Sequence, residues 1–160
     1  MGTFYQLSIE CGEDESLARS VERHYDGYSF EVTRTVRSTC SPRAITDGDQ
    51  NWWVIVSPNG LSASGISSKE DAQQMTIAGR NLYDRLLSSP PFRYAIAGVE
   101  TEEFKSFSEL KEMDAGLYSR LAGLVMSRET WEAMSSPPGF VPFRNRYLWR
   151  PYQGEAFSQK

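Results

Sequence analysis

The sequence predicts an α+β fold in which a mixed or antiparallel sheet is combined with one long helix and two or three shorter helices. Three observations favour it: segments of strand periodicity are interspersed with helical ones, residues 68–88 carry the signals of one long helix, and no repeat or long flexible linker divides the chain. At 160 residues, 39% of them hydrophobic, the chain has the usual size and composition of one domain. We expect a single globular domain over residues 1–160.

The first elements should be a strand and a helix. A period of two over residues 3–10 predicts an opening strand with its odd-numbered side chains buried. Acidic residues then precede a helical stripe that Gly27 ends, and acids suit the positive N-terminal end of a helix. The stripe consists of Leu17, Val21 and Tyr25.

Further strands are predicted after this helix. Residues 28–36 and 51–57 favour strands, and the second holds the longest apolar run, which is typical of a central strand. Residues 38–50 between them have the composition of a loop. A tight-turn signal at residues 58–60 indicates that residues 61–66 return as a short hairpin strand.

The long helix is the best-defined element. Two overlapping capping boxes, formed by Ser67 with Glu70 and by Ser68 with Asp71, can satisfy the free backbone donors at its start. Apolar residues follow at spacings of three and four until two consecutive prolines after residue 89 prevent continuation.

The C-terminal half should contain shorter elements. Residues 92–99 favour a strand with two apolar faces, and the acidic segment 100–116 carries a weak helical stripe. Residues 121–126 favour another strand, after which Ser127 is a suitable cap for a short helix. The tail, residues 140–152, alternates aromatic and arginine residues as a final exposed or edge strand would.

The sequence indicates no catalytic, cofactor-binding or metal-binding residue. His24 is the only histidine, which excludes metal sites that need two imidazoles. Cys11 and Cys40 lie too far apart for a zinc knuckle or a redox dithiol. Ser62 lacks the closing glycine of a hydrolase elbow, and the glycine-spaced loop 60–65 lacks the lysine of a phosphate loop. A non-enzymatic role is therefore expected.

Charge and hydropathy limit the expected location of the protein and the kinds of partner it can bind. The longest apolar run has five residues, far short of the about 20 that a spanning helix needs, and no secretory signal precedes the first strand. We expect a cytoplasmic protein without a membrane partner. A formal net charge of -4 disfavours nucleic acid as a partner and suits a basic protein.

The tail holds the first set of candidate binding residues, because arginine and large aromatic residues dominate the hot spots of protein interfaces. Only one side of a strand can face outward, and we expect the outward side to carry the arginines together with the last tyrosine. The set is Arg144, Arg146, Arg150 and Tyr152. The alternation leaves open whether these residues bind a partner or only solubilise the chain.

A second set is acidic. Segments 10–26 and 100–114 each carry six acids against two basic residues, so each has a charge of -4. If they fold onto one side, they would steer a cationic protein. The candidate contacts in this set are Glu100, Glu102 and Glu103.

Several short segments of the C-terminal half resemble small bacterial immunity proteins that neutralise polymorphic toxins. They are Leu124-Val125-Met126-Ser127, Trp131, Pro137-Pro138-Gly139-Phe140 and residues 147–155, and they lie within residues 124–155, about a fifth of the chain. The resemblance implies a cytoplasmic inhibitor that covers the active site of a cognate toxin, often a basic nuclease. Two alternatives stay open: an enzyme of an unfamiliar family that uses carboxylate or Tyr/Arg chemistry, and a single-stranded nucleic-acid-binding module that uses the aromatic and arginine tail.

Overall fold

A computed structural model describes residues 4–101 and 104–158, and it confirms the α+β class. Within these residues, eight strands form one antiparallel sheet in the order β2-β3-β4-β1-β5-β6-β8-β7. The strands are β1 (Tyr5–Gly12), β2 (Ser29–Glu31), β3 (Arg37–Thr46), β4 (Trp52–Pro58), β5 (Tyr94–Val99), β6 (Val125–Ser127), β7 (Val141–Arg144) and β8 (Tyr147–Trp149).

Helices cover both faces of the sheet. They are α1 (Glu15–Tyr25), α2 (Lys69–Leu86), α3 (Phe107–Lys111) and α4 (Arg128–Ala133), and a 3₁₀ helix spans Ala115–Arg120. One apolar core joins α1 and α2 to the first face, and a second core joins α3, the 3₁₀ helix and the end of α4 to the opposite face. Among the described residues, no helix is both long enough and apolar enough to cross a membrane.

The long helix is confirmed within its expected limits as α2. Ser68 is its N-cap, and the Ser68 hydroxyl accepts the backbone N–H of Asp71 at 3.0 Å. Ser67 does not pair with Glu70; its N–H and hydroxyl both donate to the carboxylate of Asp71 instead. Both serines therefore bond to Asp71 at the start of α2, Ser67 to its carboxylate and Ser68 to its backbone N–H.

Strand β1 lies between β4 and β5 at the centre of the sheet, and its burial exceeds the expectation. The odd-numbered side chains are buried as predicted, but Gln6, Ser8 and Glu10 on the opposite face are buried too. The reason is the second layer of helices, which the local period of two cannot reveal. Two of these polar side chains have partners: Ser8 bonds the hydroxyl of Thr101 at 2.8 Å, and Glu10 binds an arginine described below.

The prediction of a loop at residues 38–50 is wrong, because β3 occupies most of this segment. Over residues 41–46, β4 is the one described strand that pairs with β3, so Pro42 lies on an open edge where a missing N–H costs no ladder hydrogen bond. The N–H of Ala44 donates to the Glu22 carboxylate of α1 at 3.1 Å. A proline and a capped donor thus protect this edge against pairing with another chain.

Two further expectations are corrected by the sheet topology. Residues 61–66 do not return as a hairpin strand, because β3 and β1 already occupy both edges of β4. The tail forms a hairpin of two strands, β7 and β8, rather than one strand. Arg146, with a φ of 69°, lies in the turn between them. Elsewhere β2 and β6 have only three residues each, β6 begins later than expected, and the 3₁₀ helix at Ala115–Arg120 is not predicted by the sequence.

Candidate functional site

One end of the sheet collects elements that are distant in sequence, and we call it the cleft end. It is defined by Gly12 facing Trp52, Tyr94 facing Met126, and Ser127 facing Tyr147 across neighbouring strands. The starts of α1 and α4, the loop before β4 and the turn between β7 and β8 therefore all lie here. Loops at one end of a rigid sheet are a common place for binding residues.

A cavity with a volume of about 900 Å³ opens at this end. Four arginines line it, and we call it the arginine cleft: Arg93, Arg128, Arg144 and Arg146. Its remaining walls include the aromatic rings of Phe92, Phe107 and Tyr147 and the acids Glu129 and Glu132. The mixture of arginine and aromatic side chains in a concave site is typical of a binding surface.

Arg93 is held from behind by a buried acid, Glu10. The Arg93 Nε donates to one Glu10 carboxylate oxygen at 2.7 Å, and Nη2 donates to the other. Glu10 has no exposed surface and also accepts the N–H of Gly12 at 2.8 Å. Burial raises the pKa of Glu10, while the hydrogen bonds from Arg93 and its charge oppose that change. The guanidinium also lies 3.8 Å from the ring centroid of Phe107, so its position is fixed.

Arg144 lines the cleft, but its hydrogen bonds stabilise the end of α2. Its Nη1 donates to the carbonyl oxygens of Leu86 at 2.9 Å and Ser89 at 2.8 Å, where α2 ends. Its guanidinium lies over the ring of Tyr147 at 4.3 Å. The last carbonyls of a helix need such partners, and a cation suits the negative end of the helix. Sequence reasoning placed Arg144 on the surface, but the side chain is half-buried.

Replacing Arg144 by alanine should lower the free energy of unfolding by about 2 kcal/mol, because a charged donor and its stacking contacts are lost at a helix end. Arg146→Ala is the matched control, two residues away and exposed, and should change stability by less than about 0.5 kcal/mol. Urea unfolding of both variants makes the comparison. Equal stability of the two variants would contradict the capping role of Arg144.

Arg128 and Arg146 are the free cations of the cleft. Both are exposed, and neither guanidinium makes a hydrogen bond or ion pair within the described part of the chain. Their backbones are joined, since the N–H of Arg128 donates to the carbonyl of Arg146 at 2.8 Å. Sequence reasoning missed Arg128, whose only signal is its place directly after the helix cap Ser127.

Arg150 and Tyr152 do not line the arginine cleft. Arg150 is half-buried and reaches the carbonyl of Gly139 at 3.5 Å, while its Nε has no acceptor among the described residues. The Tyr152 hydroxyl bonds that of Tyr5 at 2.7 Å and donates to Glu155 at 2.8 Å. The structure therefore places Arg144 and Arg146 in the cleft and gives Arg150 and Tyr152 separate partners outside it, so the four tail residues do not form one surface.

The predicted acidic set is also divided. Glu100 is exposed at the opposite end of the sheet, where its N–H donates to the carbonyl of Phe4. Glu102 and Glu103 lie outside the described residues. Other acids do gather at the cleft end: Asp47, Asp49 and Glu109 line one small cavity of about 440 Å³. Acidic groups therefore adjoin the arginine cleft.

The C-terminal segment contributes to a half-buried polar cluster beside α2. Glu155 is half-buried, and this burial raises its pKa, against a smaller lowering by the hydrogen bond from Tyr152. The native chain therefore holds this proton at pH values where the unfolded chain has released it. By linkage, the contribution of Glu155 to the free energy of unfolding is complete below its ordinary pKa of 4.5 and is lost as pH rises through its native pKa.

Replacing Glu155 by glutamine should remove this pH dependence. We expect the stability of the wild-type chain, relative to Glu155→Gln, to fall as the pH rises from 4.5 to 8. Urea unfolding of both proteins at several pH values measures the difference. A difference that is constant with pH would show that the carboxyl titrates alike in the folded and unfolded chains.

The remaining reactive groups have internal partners or are buried. Cys11 and Cys40 are free, buried thiols, and burial raises the pKa of Cys40 to about 12. The ring Nε2 of His24 donates to the carbonyl of Arg85 at 2.8 Å, and burial lowers the pKa of His24. Among the described residues, no group of three or more His, Cys, Asp or Glu side chains is arranged to hold a metal ion.

Comparisons with known proteins leave the site to be interpreted from its own geometry. No protein-family model matches the chain, and no curated protein or solved structure matches it either. What the arginine cleft offers chemically is a set of positive donors over aromatic rings, in a concavity large enough for several side chains of a partner.

Proposed function

We propose that the chain is a non-enzymatic protein-binding domain of the immunity type, which binds a cognate toxin in the bacterial cytoplasm and neutralises it. The arginine cleft forms the centre of its contact surface. The observation that carries the proposal is the exposure of Arg128 and Arg146, without intramolecular partners among the described residues, in a cavity of about 900 Å³ that aromatic rings also line. Arginines over aromatic rings are the residues that most often dominate protein interfaces.

The construction of the cleft supports binding with little loss of conformational freedom. Arg93 is fixed by Glu10 and Phe107, and the hairpin turn at Arg146 is joined to the start of α4 by a backbone hydrogen bond. A surface fixed before binding avoids much of the entropy cost of ordering it in the complex. The turn and the helix therefore hold the backbones of Arg128 and Arg146 at a defined spacing.

The charge around the cleft supports a partner that is basic overall. The chain has a net charge of -4, and acids from the loop before β4 and from α3 line a cavity at the same end of the sheet. Such a surface accelerates the association of a cationic protein, with a rate that falls as salt is added. The resemblance of the C-terminal half to immunity proteins supports the same class of partner.

Growth of a host cell tests the proposal. The protein that co-purifies in a 1:1 ratio with the chain from its native cell is expressed in a laboratory host, alone and together with the chain. We expect the partner alone to stop growth and the chain to restore it. A stoichiometric partner that is harmless, or toxicity that the chain does not relieve, would overturn the proposal, as would purification of the chain with a retained metabolite and no protein.

A further inference from the structure

We infer that the arginine cleft accepts an acidic segment of the partner, with carboxylate side chains bound by Arg93, Arg128 and Arg146. The inference rests on the proposed function in one respect, since the segment is assigned to the toxin. It adds the chemistry of the contact: a partner that is basic overall inserts a locally acidic segment with an aromatic or aliphatic neighbour.

The first support is the buried ion pair behind the cleft. A carboxylate with no exposed surface in the central strand is costly to desolvate, and hydrophobic residues of similar size would often serve stability as well. What Glu10 does achieve is to fix the Arg93 guanidinium at the cleft wall. The Glu10 carboxylate accepts hydrogen bonds from Nε and Nη2 of Arg93, and Nη1 has no hydrogen bond in the described part of the chain. A donor for an incoming oxygen is thus already in place.

The second support is that four arginines and only two acids line the cleft. Arg128 and Arg146 add two exposed guanidinium groups to Arg93, and a guanidinium binds a carboxylate through two parallel hydrogen bonds. Glu129 and Glu132 line the same cavity, yet neither forms an ion pair with these arginines. The cleft therefore keeps its donors available for an external anion.

The surroundings of the cleft favour a protein segment over nucleic acid. Glu129 and Glu132 flank the arginines, and Asp47, Asp49 and Glu109 lie at the same end of the sheet. A phosphodiester chain carries a charge at every step and would have to run past these acids. A protein segment can place carboxylates only where the arginines are and basic residues against the acids.

The aromatic wall specifies the neighbour of the acid. Phe107 is half-buried beneath Arg93, whereas Phe92 and Tyr147 are buried and pack in a tilted arrangement at a centroid distance of 4.6 Å. The exposed part of the Phe107 ring is best covered by an aromatic or aliphatic side chain of the partner. A segment that alternates acidic and aromatic residues therefore fits both features of the cleft.

A labelled eight-residue peptide of alternating glutamate and tryptophan is the probe, and fluorescence anisotropy at low salt is the measurement. The matched probe has glutamine in place of each glutamate. We expect the full chain to bind the acidic peptide at least about 10-fold more tightly than the glutamine peptide, with the affinity falling as salt is added. Equal binding of the two peptides, or no binding of either, would overturn the inference.

Variants locate the binding. The double variant Arg128→Ala/Arg146→Ala should lose at least about 10-fold in affinity for the acidic peptide, whereas Arg34→Ala/Arg37→Ala, two exposed arginines near β2, should stay within about two-fold of wild type. Unchanged binding by the first variant would remove the cleft as the site. Tighter binding of a twelve-nucleotide oligothymidine than of the acidic peptide would assign the cleft to phosphodiesters instead.

The two proposals fail separately. A chain that binds the acidic peptide at the cleft but does not relieve the toxicity of its co-purifying partner overturns the proposed function and leaves the chemistry of the cleft standing. A chain that relieves toxicity equally well with and without Arg128 and Arg146 keeps the immunity function, but overturns both the inference and the placement of the contact surface at the cleft.

Discussion

Replacing Glu10 by alanine is expected to lower the free energy of unfolding by about 3 kcal/mol, near the lower end of what the loss of one member of a buried ion pair costs. The variant leaves the guanidinium of Arg93 without its acid and the N–H of Gly12 without its acceptor. The Arg93 side chain is 31% exposed and can recover some hydration, which places the effect near this end. Urea unfolding followed by circular dichroism measures it.

Two controls separate charge from shape. Glu10→Gln keeps the size and one acceptor oxygen, so we expect it to cost less than alanine. The double variant Glu10→Met/Arg93→Met removes both charges, and we expect it to be closer to wild type than Glu10→Ala is, since paired apolar replacements are often tolerated. A Glu10→Ala variant as stable as wild type would show that the ion pair does not support the fold.

Replacing Gly79 by alanine is expected to lower the free energy of unfolding by about 2 kcal/mol, through overpacking of a filled site. A Cβ at this position would lie 2.6 Å from the hydroxyl oxygen of Tyr152 and closer still to that of Tyr5. Helix propensity alone predicts the opposite sign, because alanine stabilises a helix interior by about 1 kcal/mol over glycine. Thermal and urea unfolding decide between the two.

The double-mutant background tests the cause. In a chain that carries Tyr5→Phe and Tyr152→Phe, both hydroxyls that crowd Gly79 are absent, so Gly79→Ala should cost less than it does in the wild-type chain. An unchanged cost in that background would place the strain elsewhere along α2. A stabilising Gly79→Ala would mean that the tail and the first strand do not pack against α2 as described.

Local signals in the sequence were sufficient where an element is defined by its own residues. The cap at Ser68 and the prolines after Ser89 define α2, and Ser127 defines the start of α4. Local signals were insufficient where pairing with a distant strand determines the secondary structure. Residues 38–46 have the composition of a loop, yet β4 supplies a partner and the open edge tolerates Pro42. The turn at Arg146 depends in the same way on β8 having a free edge.

The candidate site could be predicted only in part. The tail pointed to Arg146 correctly as an exposed residue, but the half-burial of Arg144 depends on the end of α2, some 55 residues earlier in the chain. Arg93 and Arg128 each stand alone in the sequence, and only the register of β5, β6 and β8 brings them together. Glu10 belongs to an acidic segment in sequence but is buried in the sheet.

The affinity of the co-purifying partner for the cleft variants tests the central claim most directly. Isothermal titration calorimetry compares the wild-type chain, Arg128→Ala/Arg146→Ala and the control Arg34→Ala/Arg37→Ala, after circular dichroism has shown that all three are folded. We expect the cleft variant to lose at least about 100-fold in affinity, the effect of removing two interface hot spots, and the control to lose little. A cleft variant that binds the partner as tightly as wild type would contradict the claim that the arginine cleft is the contact surface.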